Sequence, residues 1–298
     1  MSTAPAALAS ADPTLAAALE RGLFAVEGKL REVVSSSHPM LDLASRHLAQ
    51  AGGKRVRPML ALLAAHLGDP EDPQLGDGGT DAVVDAAVVV ELTHLATLYH
   101  DDVMDEADVR RGAPSANTRW TNTIAILTGD YLFARASDLT ASLGTEATHI
   151  QSRTFGRLVE GQIAETAGPA DGQDPAAHHL QVIADKTASL IATSARLGAM
   201  LAGAPDADVE TVARFGEVYG VAFQLSDDLI DIASDAAALG KTPGTDLREG
   251  IRTLPVLLVL GQDDPGGARL RELLEADLTD DARLAEALEL LRAHPAMA

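Results

Sequence analysis

Cysteine is absent from the 298 residues, which excludes disulfide staples and thiolate metal sites. That suits a reducing compartment, and a cytoplasmic protein is expected. Aromatic residues make up only 3% of the chain. Ala and Leu dominate an apolar fraction of 46%; both favour helix, so an all-α fold is expected. Basic residues are scarce as well. Lys and Arg number 23 against 44 Asp and Glu, a formal net charge of -21. So acidic a chain is a poor partner for nucleic acid or an anionic membrane. An anionic substrate would need metal ions or locally gathered Arg and Lys. Long uncharged apolar runs are also missing. The most apolar stretch, 82–98, carries Asp85, Glu91 and His94, so it reads as a buried helix and no membrane span is expected. The N-terminal "MSTAPAALASADPTLAAALE" lacks the features of a secretory signal or transit peptide.

Punctuation divides the chain into helices, with no period-2 strand pattern and no repeat. Residues 1–12 read as a disordered tail, and Asp12-Pro13 opens a helix to about residue 35. Further helices follow Pro39 and "GGKRVRP" (52–58). The Gly- and Pro-rich stretch 68–80 is a surface loop. Thr80 or Asp81 caps a long helix running through "HDDVMDEA" to residue 107, apolar nearly all round and therefore central to a bundle. Asn117 caps a helix to Gly144, and another covers 145–167. Asp174-Pro175 opens one to Gly203, and Asp206 or Asp208 one to about 234. An irregular loop covers 235–253, and helices over 253–261, 266–277 and 279–293 close the chain. Residues 1–298 are expected to form one domain, a large bundle around a central active-site cavity.

The chemistry concentrates in "HDDVMDEADVRRG", residues 100–112. Asp101 and Asp105, four apart on one helix face with Cβ atoms ~6 Å from each other, repel, and the C-terminal end of the helix dipole adds to the penalty. A divalent cation relieves the conflict. Mg²⁺ takes one or two carboxylates, keeps waters and accepts phosphate oxygens. The motif alone leaves a solvated acidic helix end equally open. Its echo in "FQLSDDLID" (223–231), where Asp227, Asp228 and Asp231 repeat the Asp-Asp-x-x-Asp spacing late in a second long helix, favours the metal. Two such helices facing each other would surround one cavity. Lys54, Arg55 and Arg57 precede the first motif, and Arg110 and Arg111 follow it. Arginine forks match phosphate oxygens, so two diphosphates are expected, one bound through metal and one directly. "LGKT" (239–242) is no P-loop, because Asp235 stands where the first glycine is required.

In this order, "GGKRVRP", "HDDVMDEADVRRG", "DKTASL" and "FQLSDDLID…GKTPGTDL" resemble the motifs of the trans-polyprenyl diphosphate synthases over residues 50–255. The resemblance implies an all-helical, homodimeric, Mg²⁺-dependent prenyltransferase that condenses isopentenyl diphosphate with an allylic prenyl diphosphate. Asp101, Asp105 and Asp227 would ligate Mg²⁺ on the allylic diphosphate, and Asp231, with Asp102 and Asp228, would complete or support that site. Arg110, Lys186 and Lys241 would hold the same diphosphate. Lys54, Arg57, His94 and Arg111 would hold the diphosphate of isopentenyl diphosphate. Thr187 and Gln224 would lie near the developing allylic cation. In short-chain members an aromatic residue four or five places before the first aspartate blocks the product tunnel. Here Thr97 and Ala96 stand there, and Tyr99 lies elsewhere on the turn, so a long product, beyond four isoprenes, is expected rather than a farnesyl or geranylgeranyl one.

Two departures stand out. Ile251, followed by Arg252, occupies the place of a common family lysine. The chain ends at "LRAHPAMA", where members continue through further helices, so a shortened C-terminal set is expected. Three rival readings fit these residues less well. A class I terpene cyclase needs no second diphosphate site and leaves "GGKRVRP" and Arg111 without a role. A non-catalytic subunit would tend to lose the aspartates. A structural bundle gives no reason to keep two carboxylate clusters in apolar helices.

Overall fold

A computed structural model describes residues 11–68, 79–233, 243–276 and 278–297. Lys241, the "LGKT" stretch, most of the 68–80 loop and residues 1–10 of the tail expected over 1–12 lie outside the described residues. Those described are predominantly helical, as composition and periodicity require. Helix α1 is Pro13–Val33, α2 Pro39–Gln50, α3 Val56–Ala65 and α4 Asp81–Met104; β1 (Val109–Arg110) and β2 (Ala113–Pro114) follow, then α5 Ala116–Arg119 and α6 Asn122–Ser142. Next come α7 Thr145–Ala167, α8 Pro175–Ile183, a π-helical turn Ala184–Ala188 and α9 Ser189–Leu201. The chain closes with α10 Asp206–Ala233, α11 Thr245–Arg248, α12 Leu254–Leu260, α13 Pro265–Leu274, α14 Asp281–Ala293 and a 3₁₀ turn Pro295–Met297.

Side-chain caps set the starts. Asp12 accepts from Leu15 N, Thr80 from Val83 N and Asp174 from Ala176 N. Four expectations need correction. α4 stops at Met104 rather than 107, with Asp105 as its cap. Asn117 is no cap: the chain breaks at Trp120, and the Thr121 hydroxyl accepts from Ile124 N to start α6. The helix read from 175 to 203 is interrupted by the π turn. The loop expected over 235–253 contains the helical turn α11. The β1–β2 pair, antiparallel with Arg110 opposite Ala113, is too short for alternation to announce. Its turn residues Arg111 (φ 54) and Gly112 (φ 76) both have positive φ, as a type I′ hairpin demands.

The contacts fall into two compact units. The first holds Met1–Arg157 and Ser189–Glu217, the second Leu158–Ala188 and Val218–Ala298. In the first unit α4 is central and packs on α1, α3, α6 and α9. Leu19, Leu30, Leu48, Leu92, Leu95 and Leu132 build the core around it. α4 has the length and composition to cross a membrane, but most of its apolar window is buried in the protein. In the second unit α12, α13 and α14 close over Leu247, Val256, Val259, Leu270, Leu284 and Leu291.

Candidate active site

The first acidic motif sits at the C-terminal end of α4. Asp101 is half-buried and Asp105 exposed, whereas Asp102 is fully buried. Asp102 Oδ1 accepts a 2.6 Å bond from Arg110 Nε, and Arg110 also lies 3.7 Å from Asp105. The hairpin makes this possible by turning the chain back after the helix, so that Arg110 covers the carboxylate eight residues before it. Asp102 Oδ2 is buried without a hydrogen-bond partner.

Beside this motif the basic residues converge on one buried acid, Glu91. Its Oε1 accepts from Arg55 at 2.6 Å and lies 3.7 Å from Arg111. Arg55 also bonds Glu27 at 2.6 Å and the Ala49 carbonyl at 2.8 Å. Its guanidinium is therefore engaged within the protein. Arg111 donates to the carbonyls of Gly52 and Leu48. Arg57 Nε is buried with no partner; burial first, then the nearby Arg111, lowers its pKa to about 10, with Glu91 opposing. His94 is held well below its usual range, mainly by burial and then by Arg57, Arg111, Arg55 and Arg110. A neutral imidazole in that field is a hydrogen-bonding group for an anion rather than a competing cation. The cluster is electropositive, partly desolvated and incompletely satisfied, which suits a polyanion. Lys54 is exposed nearby in sequence. Arg55, Glu106 and Arg111 are the non-glycine residues with positive φ among those described, and all three flank the acidic motif or the basic run, where strained backbone tends to mark function.

The second set lies wholly in the second unit. On α10, Asp227 is exposed while Asp228 and Asp231 are buried. Asp228 Oδ1 accepts from Gln224 Nε2 at 3.0 Å, and its Oδ2 lies 3.3 Å from His179 Nε2. The Thr187 hydroxyl donates to Gln224 Oε1 at 3.1 Å. Asp231 Oδ2 accepts from Asp246 N at 3.2 Å, and its Oδ1 is buried without a partner. Lys186 pairs with Glu165 on α7. Lys186 and Thr187 both occupy the π turn, a distortion that often accompanies functional sites. Gly161 permits that turn to lie against α7: a Cβ there would come within 2.8 Å of Lys186 N. A cavity of about 760 Å³ adjoins this set, lined among others by Glu165, His179, Ile251, Arg252 and Arg271.

Ala96 and Thr97 lie on α4 above the first motif. Ala96 is fully buried in the core, and Thr97 donates to the His94 carbonyl at 2.8 Å. Tyr99 turns away to α2, where Leu48 N donates to its hydroxyl and the hydroxyl donates to the Ala44 carbonyl. Glu91, Glu165 and His179 escaped the sequence reading as site residues. Glu91 left a trace, a lone carboxylate within an apolar helix; the other two left none. Among the described residues no three His, Cys, Asp or Glu side chains gather into a metal cage. Asp102 in the first unit and Asp231 in the second each keep one unpartnered carboxylate oxygen, the donor type that a hydrated hard cation takes.

A helical fold with aspartate-rich helix ends and a partly desolvated basic cluster has the groups to take up a polyanion. Comparison with known proteins narrows this reading. The family model described as polyprenyl synthetase matches residues 38–291. A nonaprenyl diphosphate synthase of Mycobacterium tuberculosis is 49% identical over 96% of this chain and 84% of its own. A dimethylallyltranstransferase of the same organism is 43% identical over 97% and 86%. Among solved structures, a geranylgeranyl pyrophosphate synthase from Corynebacterium glutamicum, complexed with calcium and isoprenyl diphosphate, superposes with a TM-score of 0.83 at 48% identity, covering 96% of this chain and 85% of that one. The chain belongs to the polyprenyl synthetase family and is a prenyltransferase.

Proposed function

We infer that the protein condenses isopentenyl diphosphate with an allylic prenyl diphosphate and releases a long all-trans polyprenyl diphosphate. The observation carrying this reading is the basic cluster of Arg57, Arg111 and neutral His94 around Glu91, with a buried Arg57 Nε lacking a partner, beside an acidic helix end. A chain of charge -21 gathers cations there to hold one diphosphate directly, with Lys54 at its edge. Asp101, Asp105, Asp227 and Asp231 would hold Mg²⁺, supported by Asp102 and Asp228. When bound, the ion supplies charge neutralisation for the departing diphosphate. Arg110, Lys186 and Lys241 bind that leaving group. Gln224 and Thr187 present dipoles, not nucleophiles, toward the allylic carbon, and apolar walls keep water from the cation. The double bond of isopentenyl diphosphate attacks and a proton is lost, the departed diphosphate being the base at hand.

The small residues Ala96 and Thr97 support a long product. Likeness to a geranylgeranyl pyrophosphate synthase favours the shorter alternative. Incubation with farnesyl diphosphate, labelled isopentenyl diphosphate and Mg²⁺, followed by chromatography, decides: chains beyond four isoprenes support the proposal, and a stop at geranylgeranyl overturns the length assignment. Cyclic hydrocarbon from an allylic diphosphate alone, or turnover only with a second protein, overturns the synthase reading. The same assay with Ala96→Phe is expected to shorten the product; unchanged length refutes the tunnel assignment. A cytoplasmic homodimer completes the proposal. Ile126 and Leu127, apolar and exposed on α6, offer a surface for a second copy, which sedimentation would detect.

A further inference from the structure

The amide of Gln224 has a donor end and an acceptor end, and which one faces Thr187 depends on what holds the other. Nε2 donates to Asp228 Oδ1 at 3.0 Å, so Oε1 is left to face the Thr187 hydroxyl at 3.1 Å. Asp228 fixes this orientation only while its own carboxylate is fixed. It is 3% exposed, so water is a poor partner for its second oxygen. That oxygen lies 3.3 Å from His179 Nε2; because an ionised carboxylate only accepts, the imidazole nitrogen is the donor. Four side chains therefore form one chain of contacts: His179 on α8, Asp228 and Gln224 on α10, and Thr187 on the π turn.

We propose that His179 is a positioning residue, acting through Asp228 to hold the Gln224 amide with its oxygen toward Thr187. The inference rests on the reading that places Gln224 and Thr187 near the developing allylic cation and Asp227 on the metal. The chemistry then gives His179 a specific consequence. A carbonyl oxygen aimed at a developing cation stabilises it, and an amide N–H₂ aimed the same way does not. Removing the imidazole leaves Asp228 Oδ2 buried without a donor, which costs as an unmet buried acceptor does, and frees the carboxylate to turn and release the amide. The effect falls on ionisation of the allylic substrate. It does not fall on capture of isopentenyl diphosphate, assigned to residues of the first unit.

The test compares His179→Phe, which keeps a ring and removes the donor, with His179→Gln, which restores one. For His179→Phe, kcat is expected to drop about tenfold, the size seen when a supporting hydrogen bond behind a working group is lost. KM for isopentenyl diphosphate should stay within about twofold, because that substrate is assigned to residues of the first unit. His179→Gln should recover most of the loss. Calorimetric binding of an ammonium analogue of the allylic cation with diphosphate and Mg²⁺ gives a readout apart from turnover, expected to weaken several-fold in His179→Phe and less in His179→Gln, while a non-ionising allylic thiodiphosphate binds as in the wild type. Unchanged kcat in His179→Phe overturns the inference, as does an equal rise in KM for isopentenyl diphosphate. If His179→Phe does not fold, His179→Leu, which also removes the donor, is read in the same way. Asp227→Ala separates the two levels: wild-type Mg²⁺ dependence in that variant sinks the underlying site reading. Its loss alongside a neutral His179→Phe sinks this inference alone.

Discussion

The two aspartate-rich helix ends share a spacing and differ in how each keeps its middle acid. Asp102 is fully buried beneath a guanidinium at 2.6 Å, delivered by a hairpin from the same stretch of chain. Asp228, almost as buried, is held by a neutral amide at 3.0 Å and an imidazole at 3.3 Å, groups drawn from its own helix and a neighbour. A buried carboxylate needs a partner, and these are two solutions to the same problem. The first uses a permanent charge of opposite sign. The second uses polar groups that can also orient something beyond the acid. The first motif is thus the more rigid electrostatic fixture and the second the more directional one.

The difference can be broken, starting where the effect is largest. If both motifs hold Mg²⁺, Asp101→Ala and Asp227→Ala should each lower kcat by on the order of a thousandfold, measured as label incorporation at saturating substrate. Near wild-type activity in either would leave that motif without a metal role. Loss of the charged clamp comes next. Arg110→Met leaves Asp102 buried without its counter-ion, and stability should fall by about 3 kcal/mol in urea unfolding. Gln224→Leu, which leaves His179 on Asp228, should fall by only about 1 kcal/mol. Equal losses would erase the contrast between the two acids. The smallest effect tests the basic cluster beside the first motif. The folded-state pKa of His94 lies below its ordinary 6.5, so the unfolded chain binds a proton that the folded chain refuses. Its contribution is fully present above about pH 6.5 and is lost as pH falls below that value toward the lower folded-state pKa. The urea midpoint of His94→Gln should therefore drop less than that of the wild type between pH 7.5 and 5.5, and parallel drops would deny that burial and the nearby arginines keep His94 neutral.

Much of the fold was legible because helix periodicity and capping are local. Asp12-Pro13, Thr80 and Asp174-Pro175 announce helices that begin where they say. Asn117 misled because Thr121, four residues on, offers an equally good oxygen and the break at Trp120 is not written in any local pattern. The place of the two acidic motifs, late in two long helices, was legible from the sequence. Their environments were not. That Arg55 is consumed by Glu27 and Glu91 while Arg57 keeps an unmet donor depends on partners 28 to 36 residues away from Arg55. His179 and Glu165 carry no motif, since each matters only through what α10 and the π turn bring beside it.

The hairpin after α4 also constrains how this region can change over time. Surface connections usually tolerate gains and losses of length, but here two neighbouring arginines diverge, Arg110 to Asp102 and Arg111 to the Gly52 carbonyl. The divergence depends on a two-residue turn whose second member is Gly112. Inserting a single amino acid would shift the pairing by one and rotate a guanidinium off its anchor. This short ribbon should therefore be among the least length-tolerant connections in the molecule.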